Sequence, residues 1–278
     1  MQPNLTIFNS FFNEILREDI GICGDITTNA LLHEEKLISF NIISREKIVL
    51  CGLEIACWYL ENFGIKSYEV NYKDGDIVEP GRIILSGHGD ARKILMLERT
   101  ILNFMQHLSG VATVTNRYVE EVKGTNAKIT DTRKTLPGLR IFQKYAVRCG
   151  GGENHRGTLD SAIMIKDNHI NLVGSVSEAI KRARLHNPHY AKIIVECDTS
   201  LQFSEALDLG AEIILLDNMT EDEIKSCVQY NNKKSILVAS GGITLSNVKK
   251  IAETGIDYIA IGAITHSVKA VDIGLDFE

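Results

Sequence analysis

Five cations, Arg133, Lys134, His155, Arg156 and Lys166, make a set: Arg133, Lys134 and Lys166 fall where the chain leaves apolar, strand-like runs, and His155-Arg156 follow a glycine-rich turn. Guanidinium and ammonium groups gathered at one mouth suit a ligand carrying several carboxylates or phosphates. Two carboxylates, Glu196 and Asp217, end successive runs of the same kind. They suit Mg²⁺ held near a phosphate or pyrophosphate, and they equally suit a hydrogen-bonded pair of loop acids; spacing alone leaves both readings open. Two further runs end in Ser240-Gly241-Gly242 and Gly262-Ala263, each ahead of a helical stretch. Glycine lets backbone N–H groups approach an anion closely, and a helix N-terminus favours the charge, so both segments are expected to bind phosphate.

Other polar residues are given plainer readings. Arg140, Lys144 and Arg148 follow i, i+4 spacing and are read as a solvated or structural helix face. His107, His169 and His186 are read as structural. The six cysteines form no CxxC pair, and no His/Cys zinc-ligand spacing is present. They are read as reduced, buried thiols. Cys149 is read as preceding a tight turn at Gly150-Gly151-Gly152 that sets Asn154-His155-Arg156, rather than as a nucleophile.

The elements that would position these residues follow from periodicity. Six apolar runs (127–130, 162–165, 192–195, 212–216, 236–239 and 258–261) alternate with helical stretches. Strands apolar on both faces, separated by helices, predict a parallel sheet. Units of about 20–35 residues fit a (β/α) barrel, whose strand C-termini converge on one face. A doubly wound open sheet is the alternative, although no Gly-x-Gly-x-x-Gly follows the first run. The first third reads as α+β. Helices are expected over 6–20 and 52–63, strands within 36–50, turns at 73–76 and 79–81, and a long helix over 91–123, broken near Ser109-Gly110.

Composition bounds the function classes. The chain has 278 residues, 44% of them hydrophobic, and a net charge of −6. A general nucleic-acid binder would carry a basic excess, so none is expected as partner. No run of 18 apolar residues exists, and no membrane partner is expected. The N-terminal dozen residues lack the basic and apolar regions of a signal peptide, and the expected location is cytoplasmic.

The motifs in order resemble the quinolinate phosphoribosyltransferase family, also called nicotinate-nucleotide pyrophosphorylase (carboxylating). The resemblance rests on Glu98-Arg99-Thr100, Asn103-Phe104 and Leu108-Ser109-Gly110, then on Asp131-Thr132-Arg133-Lys134-Thr135-Leu136-Pro137-Gly138. It continues through Lys144-Tyr145-Ala146-Val147-Arg148-Cys149-Gly150-Gly151-Gly152, Asn154-His155-Arg156, Lys166-Asp167-Asn168-His169 and Leu216-Asp217-Asn218. Ala239-Ser240-Gly241-Gly242-Ile243, Gly262-Ala263-Ile264-Thr265-His266-Ser267 and, earlier, Gly24-Asp25-Ile26-Thr27-Thr28 and Asp74-Gly75-Asp76 with Pro80-Gly81 complete it. Essentially the whole chain is covered. Two departures stand out: Val238 replaces a usual Glu, and 157–161 reads Gly-Thr-Leu-Asp-Ser where the family shows Gly-Leu and then Asp. Both bear on loop shape rather than on the reaction.

The resemblance implies an α/β fold with an N-terminal α/β sandwich domain, 1–111 with 270–278 able to join it, and a C-terminal incomplete TIM-like barrel, 112–269. It implies transfer of phosphoribosyl from phosphoribosyl pyrophosphate to quinolinate with loss of CO₂, using Mg²⁺. It also implies a homodimer, or a larger assembly, with the site shared between subunits. Quinolinate would be bound by Arg133, Lys134, His155, Arg156 and Lys166, with Arg99 from the partner. The phosphoribosyl and metal side would be Glu196, Asp217, Ser240, Gly241, Gly242, Gly262, Ala263 and, near the phosphates, His266. Lys134 would lie between the substrates and act in catalysis with Glu196 and Asp217. Lys166 at a strand end beside a phosphate site also fits a Schiff-base aldolase. A non-catalytic nucleotide binder and the molybdenum-transport-associated paralogue are the other rivals, against which the complete cationic set argues.

Overall fold

The structure is a computed structural model and describes residues 2–278. In chain order the elements are α1 (Asn9–Ile20), α2 (Ile26–Leu31), β1 (Leu37–Ser44), β2 (Ile48–Val49), α3 (Leu53–Asn62), β3 (Ser67–Val70), β4 (Ile77–Val78), β5 (Ile83–Asp90) and α4 (Ala91–Glu121). Then follow β6 (Lys128–Thr130), α5 (Arg140–Cys149), β7 (Ile163–Ile165), α6 (Asp167–Val173), α7 (Val176–His186), β8 (Ile193–Cys197), α8 (Ser200–Asp208) and β9 (Ile213–Asp217). The chain ends with α9 (Glu221–Asn231), β10 (Ile236–Ser240), α10 (Val248–Glu253), β11 (Tyr258–Ala260), α11 (Ala263–His266) and β12 (Ile273–Phe277). Two compact units result. The first is Met1–Val114, Ile141–Gly151 and Val268–Glu278; the second is Thr115–Arg140 and Gly152–Ser267.

The first unit holds an antiparallel sheet in the order β12-β1-β5-β3 and a small β2-β4 pair. Its helices pack through aromatic rings. Phe12, fully buried on α1, meets Trp58 at 4.8 Å and Phe142 at 5.6 Å between ring centroids, and the Tyr59 hydroxyl donates to the Phe12 carbonyl. Phe142 lies on α5, and its stacking on Phe11 explains why 141–151 clusters with this unit although the surrounding sequence belongs to the second.

α4 runs unbroken through Ser109-Gly110, contrary to the expected break. The Ser109 hydroxyl is engaged sideways, accepting from the Cys51 N–H at 2.9 Å and donating to the Cys51 carbonyl, so it does not compete for its own helix backbone. Gly110 is a packing residue: a Cβ there would lie 2.5 Å from the Lys269 carbonyl oxygen. All six cysteines are free, but Cys23 is exposed and Cys57 and Cys149 only partly covered, so the uniformly buried reading fails for those three.

The second unit is a six-stranded parallel sheet, ordered β6-β11-β10-β9-β8-β7. Its strands contain or overlap all six predicted runs. The order is a cyclic permutation of the sequence, with the first strand paired to the last. A doubly wound sheet would instead reverse direction at a switch point. β6 and β7 do not pair, which leaves the barrel incomplete at that seam. Ile194, Leu215, Val238 and Ala260 form one buried layer inside the sheet. Val238, the departure from the family pattern, is part of this apolar layer.

Candidate functional site

Strand side chains repeat every two residues. Two positions beyond the apolar layer, the same inner face therefore presents Glu196 on β8, Asp217 on β9, Ser240 on β10 and Gly262 after β11. On β7 the step is from Met164 to Lys166. The register is staggered as in a barrel: Asp217 pairs with Ser240, whereas Glu196 pairs with Leu215 and Ser240 with Ala260. This polar layer floors a cleft of about 320 Å³ lined by Arg133, Lys134, His155, Arg156, Lys166, Glu196, Asp217 and Ser240. Eight of the predicted site residues thus share one cavity.

A set of hydrogen bonds and one ion pair hold the cations in place. The carboxylate of Asp131, fully buried, accepts from the His155 N–H at 2.9 Å and from the Asn154 amide at 2.6 Å. His155 Nδ1 in turn accepts from the Arg156 N–H at 2.8 Å. Arg156 donates to the Ala162 carbonyl. Lys166 forms an ion pair with Glu196 across the floor. The buried Thr265 hydroxyl bonds the Lys134 carbonyl at 2.7 Å, fastening that loop to α11. Asp131 and Thr265 lay inside the recognised motifs without an assigned role. The sequence signal available was a carboxylate and a hydroxyl too near strand and helix ends to be solvated.

The Nε atoms of Arg133 and Arg156 are both buried without a hydrogen-bond partner. Burial, and next the nearby Arg133 charge, push the Arg156 guanidinium below its ordinary pKa, while Glu196 works the other way. Two half-buried arginines with unpartnered Nε atoms lining one cavity suit an anionic ligand. On the acid side, burial and then the Asp217 and Asp167 charges raise the Asp198 carboxyl.

The glycine segments adjoin the cleft in a form the sequence did not give. Helix α10 begins only at Val248, so Gly241 and Gly242 lead into a turn held by Asn247, which donates to the Gly242 carbonyl. Gly241 has φ +88°, and a Cβ there would meet the Asn218 backbone nitrogen at 2.8 Å. After Gly262 comes a single helical turn, Ala263–His266. A Cβ on Gly262 would lie 3.1 Å from Lys134 Cδ and 3.2 Å from the His266 ring, so glycine allows both to approach. The expected anion site at helix N-termini is therefore a backbone turn and one short turn, not two full helices.

Some residues stand elsewhere. Arg99 is on α4, in the first unit, exposed and 3.9 Å from Glu98. His169 accepts from the Lys166 N–H and caps α6, the structural role expected of it. Lys144 is buried and Arg148 lies over the Tyr145 ring, so this helix face is structural and not solvated. The loop 157–161 is tied by the Thr158 N–H and hydroxyl to Ser161.

Comparison with known proteins agrees with this geometry. The model of the quinolinate phosphoribosyl transferase C-terminal domain matches residues 111–276, and that of the N-terminal domain matches 25–109. The chain is 44% identical over 270 residues to the probable nicotinate-nucleotide pyrophosphorylase [carboxylating] of Methanocaldococcus jannaschii, covering 94% of each. It is 43% identical over 267 residues to the nicotinate-nucleotide pyrophosphorylase [carboxylating] of Mycobacterium leprae, again covering 94% of each. Among solved structures, the nicotinate-nucleotide pyrophosphorylase of Ehrlichia chaffeensis superposes with a TM-score of 0.95 at 44% identity over the whole of both chains. No helix among the described residues is long and apolar enough to cross a membrane.

Proposed function

The chain belongs to the quinolinate phosphoribosyltransferase family, and from that premise we propose that the sheet mouth of its second unit is where quinolinate meets phosphoribosyl pyrophosphate. The enzyme is a decarboxylating pentosyltransferase of NAD biosynthesis. Its products are nicotinate mononucleotide, pyrophosphate and CO₂. The observation that carries the placement is the pair of buried, unpartnered guanidinium nitrogens of Arg133 and Arg156 in one cleft.

Quinolinate brings two carboxylates, and Arg133, Arg156, His155 and Lys166 supply cations to match them. Lys166 is pre-positioned by Glu196, and His155 by Asp131, so little ordering remains on binding. The phosphoribosyl group lies toward Ser240, Gly241, Gly242, Gly262, Ala263 and His266, with Lys134 between the substrates. The ring nitrogen attacks the anomeric carbon as the bond to pyrophosphate breaks. Glu196 and Asp217 stabilise the positive charge that develops on the ribose. The quaternised nitrogen then withdraws the electron pair left when the adjacent carboxylate departs as CO₂, and a proton from solvent completes the ring.

Glu196 and Asp217 are hard oxygen donors that line one cleft. That donor set fits a Mg²⁺ ion held by one or two carboxylates together with substrate phosphates. When bound, Mg²⁺ would neutralise charge on the departing pyrophosphate. A homodimer, or a larger assembly of such dimers, in which the partner's α4 contributes Arg99 belongs to the same proposal, supported by Arg99 being exposed on α4. So does a cytoplasmic location, supported by six free cysteines.

The test is CO₂ release from carboxyl-labelled quinolinate with phosphoribosyl pyrophosphate and Mg²⁺, run on the wild type and on a co-refolded mixture of Arg99→Ala and Lys134→Ala chains. The wild type should turn over quinolinate and not nicotinate. Each variant alone should be nearly inactive, and random mixing should restore roughly a quarter of the sites under two-fold symmetry. Equal use of nicotinate would sink the substrate assignment. No recovery despite subunit exchange would sink the shared site.

A further inference from the structure

Outside the sheet mouth, one cluster of ligand-type side chains is assembled by the fold of the first unit. Cys51, Asp74 and Cys149 each offer one atom, two sulfurs and a carboxylate oxygen, and the three atoms lie within 4.8 Å of one another. Nothing in their spacing along the chain marks them as a set. Cys51 sits between β2 and α3, Asp74 in the turn between β3 and β4, and Cys149 at the last position of α5. We infer that Cys51, Asp74 and Cys149 form a binding site for a thiophilic divalent cation, zinc above all, which staples three separate segments of the first unit.

The dimensions suit a tetrahedral ion. Zinc–sulfur bonds of about 2.3 Å and zinc–oxygen bonds of about 2.0–2.2 Å hold ligand atoms roughly 3.5–3.8 Å apart. The three atoms are already within an ångström or so of that arrangement without backbone movement. Two thiolates and a carboxylate select zinc over magnesium, which takes oxygen donors. The fourth position is left for water.

The ligands are held from behind. The Asp74 carboxylate accepts the N–H groups of Gly52 at 3.2 Å and Leu53 at 3.0 Å. The Ser109 hydroxyl clamps the Cys51 backbone through both its N–H and its carbonyl. The Tyr145 hydroxyl is hydrogen-bonded toward both Asp74 and Cys149. Such outer contacts fix ligand orientation at metal sites. Cys51 is buried and Cys149 partly open, which leaves a route for an ion to arrive. On binding, both thiol protons leave, and the complex of two thiolates, one carboxylate and a dication carries a single negative charge next to Arg148.

The test uses the reduced full-length chain and Co²⁺ as probe, with Mg²⁺ present to occupy hard oxygen sites. One equivalent should produce a near-ultraviolet thiolate-to-cobalt charge-transfer band, which carboxylates alone do not give. Cys51→Ser and Cys149→Ser should each abolish it or cut it severely. Asp74→Asn should weaken Co²⁺ binding about tenfold or more, and Cys57→Ser should leave the band unchanged. Zinc in slight excess should raise the Tm of the wild type and not that of Cys149→Ser. No band in the reduced wild type, or an undiminished band in both cysteine variants, overturns the site. Should Cys51→Ser fail to fold, alkylation of the wild type decides: zinc must slow iodoacetamide labelling of Cys149, and an unchanged rate refutes the proposal.

Discussion

The mouth of the parallel sheet and the aromatic packing of the first unit differ in how charge is met. At the mouth, Arg133 and Arg156 line one cleft with buried Nε atoms that have no partner, the Arg133 charge opposes that of Arg156, and burial, then the Asp217 and Asp167 charges, raise Asp198. In the first unit, the Tyr59 and Ser109 hydroxyls are both partnered. An unpartnered nitrogen alone does not mark a ligand site, since the Arg92 Nε of the first unit is buried without a partner as well; two such arginines in one cleft do. The difference predicts which variants affect turnover and which affect folding.

The largest expected effect is at the mouth. Arg133→Ala removes one of two facing guanidiniums, and losing one partner of a desolvated charge pair costs about 2–5 kcal/mol. The ratio kcat/KM for quinolinate should fall at least about thirtyfold. Stability should hold, because the change also relieves repulsion on Arg156. A clear drop in Tm with kcat/KM intact would reverse the contrast.

Next is Gly110→Ala in the first unit. The added methyl would press on the Lys269 carbonyl, and overpacking of this kind costs about 1–3 kcal/mol. Urea denaturation should show that loss. An unchanged midpoint would mean that the segment after Val268 yields freely.

The smallest effect concerns pH. Burial holds the His107 imidazole below its ordinary pKa, and its ring faces the Gln143 amide at 2.8 Å. A depressed histidine binds fewer protons folded than unfolded. Its stabilising contribution is therefore present above the unfolded pKa of about 6.5 and is lost as pH falls from there through the folded value. His107→Gln should flatten the decline of Tm below about pH 6.5. Identical pH profiles for the variant and the wild type would show that His107 is not depressed.

Sequence alone determined much of the second unit. Its strands are apolar on both faces, so each run stands out from the polar helices around it, and the residue two steps past each apolar position must share its face. The convergence of parallel strand ends on one face brought Lys166, Glu196, Asp217 and Ser240 together with the cations of 133–134, while 155–156 were legible only as residues set by the glycine turn before them. Three things were decided only by tertiary structure. The continuity of α4 depends on what lies against Ser109 and Gly110, and neither neighbour is local. The attachment of α5 to the first unit depends on Phe142 finding Phe11 and Phe12 more than a hundred residues away. The meeting of Cys51, Asp74 and Cys149 has no periodicity behind it, because the three come from two loops and a helix end. Local pattern records which face a residue shares with its neighbours in sequence, whereas the partner across a packed interface is fixed only when the chain has folded.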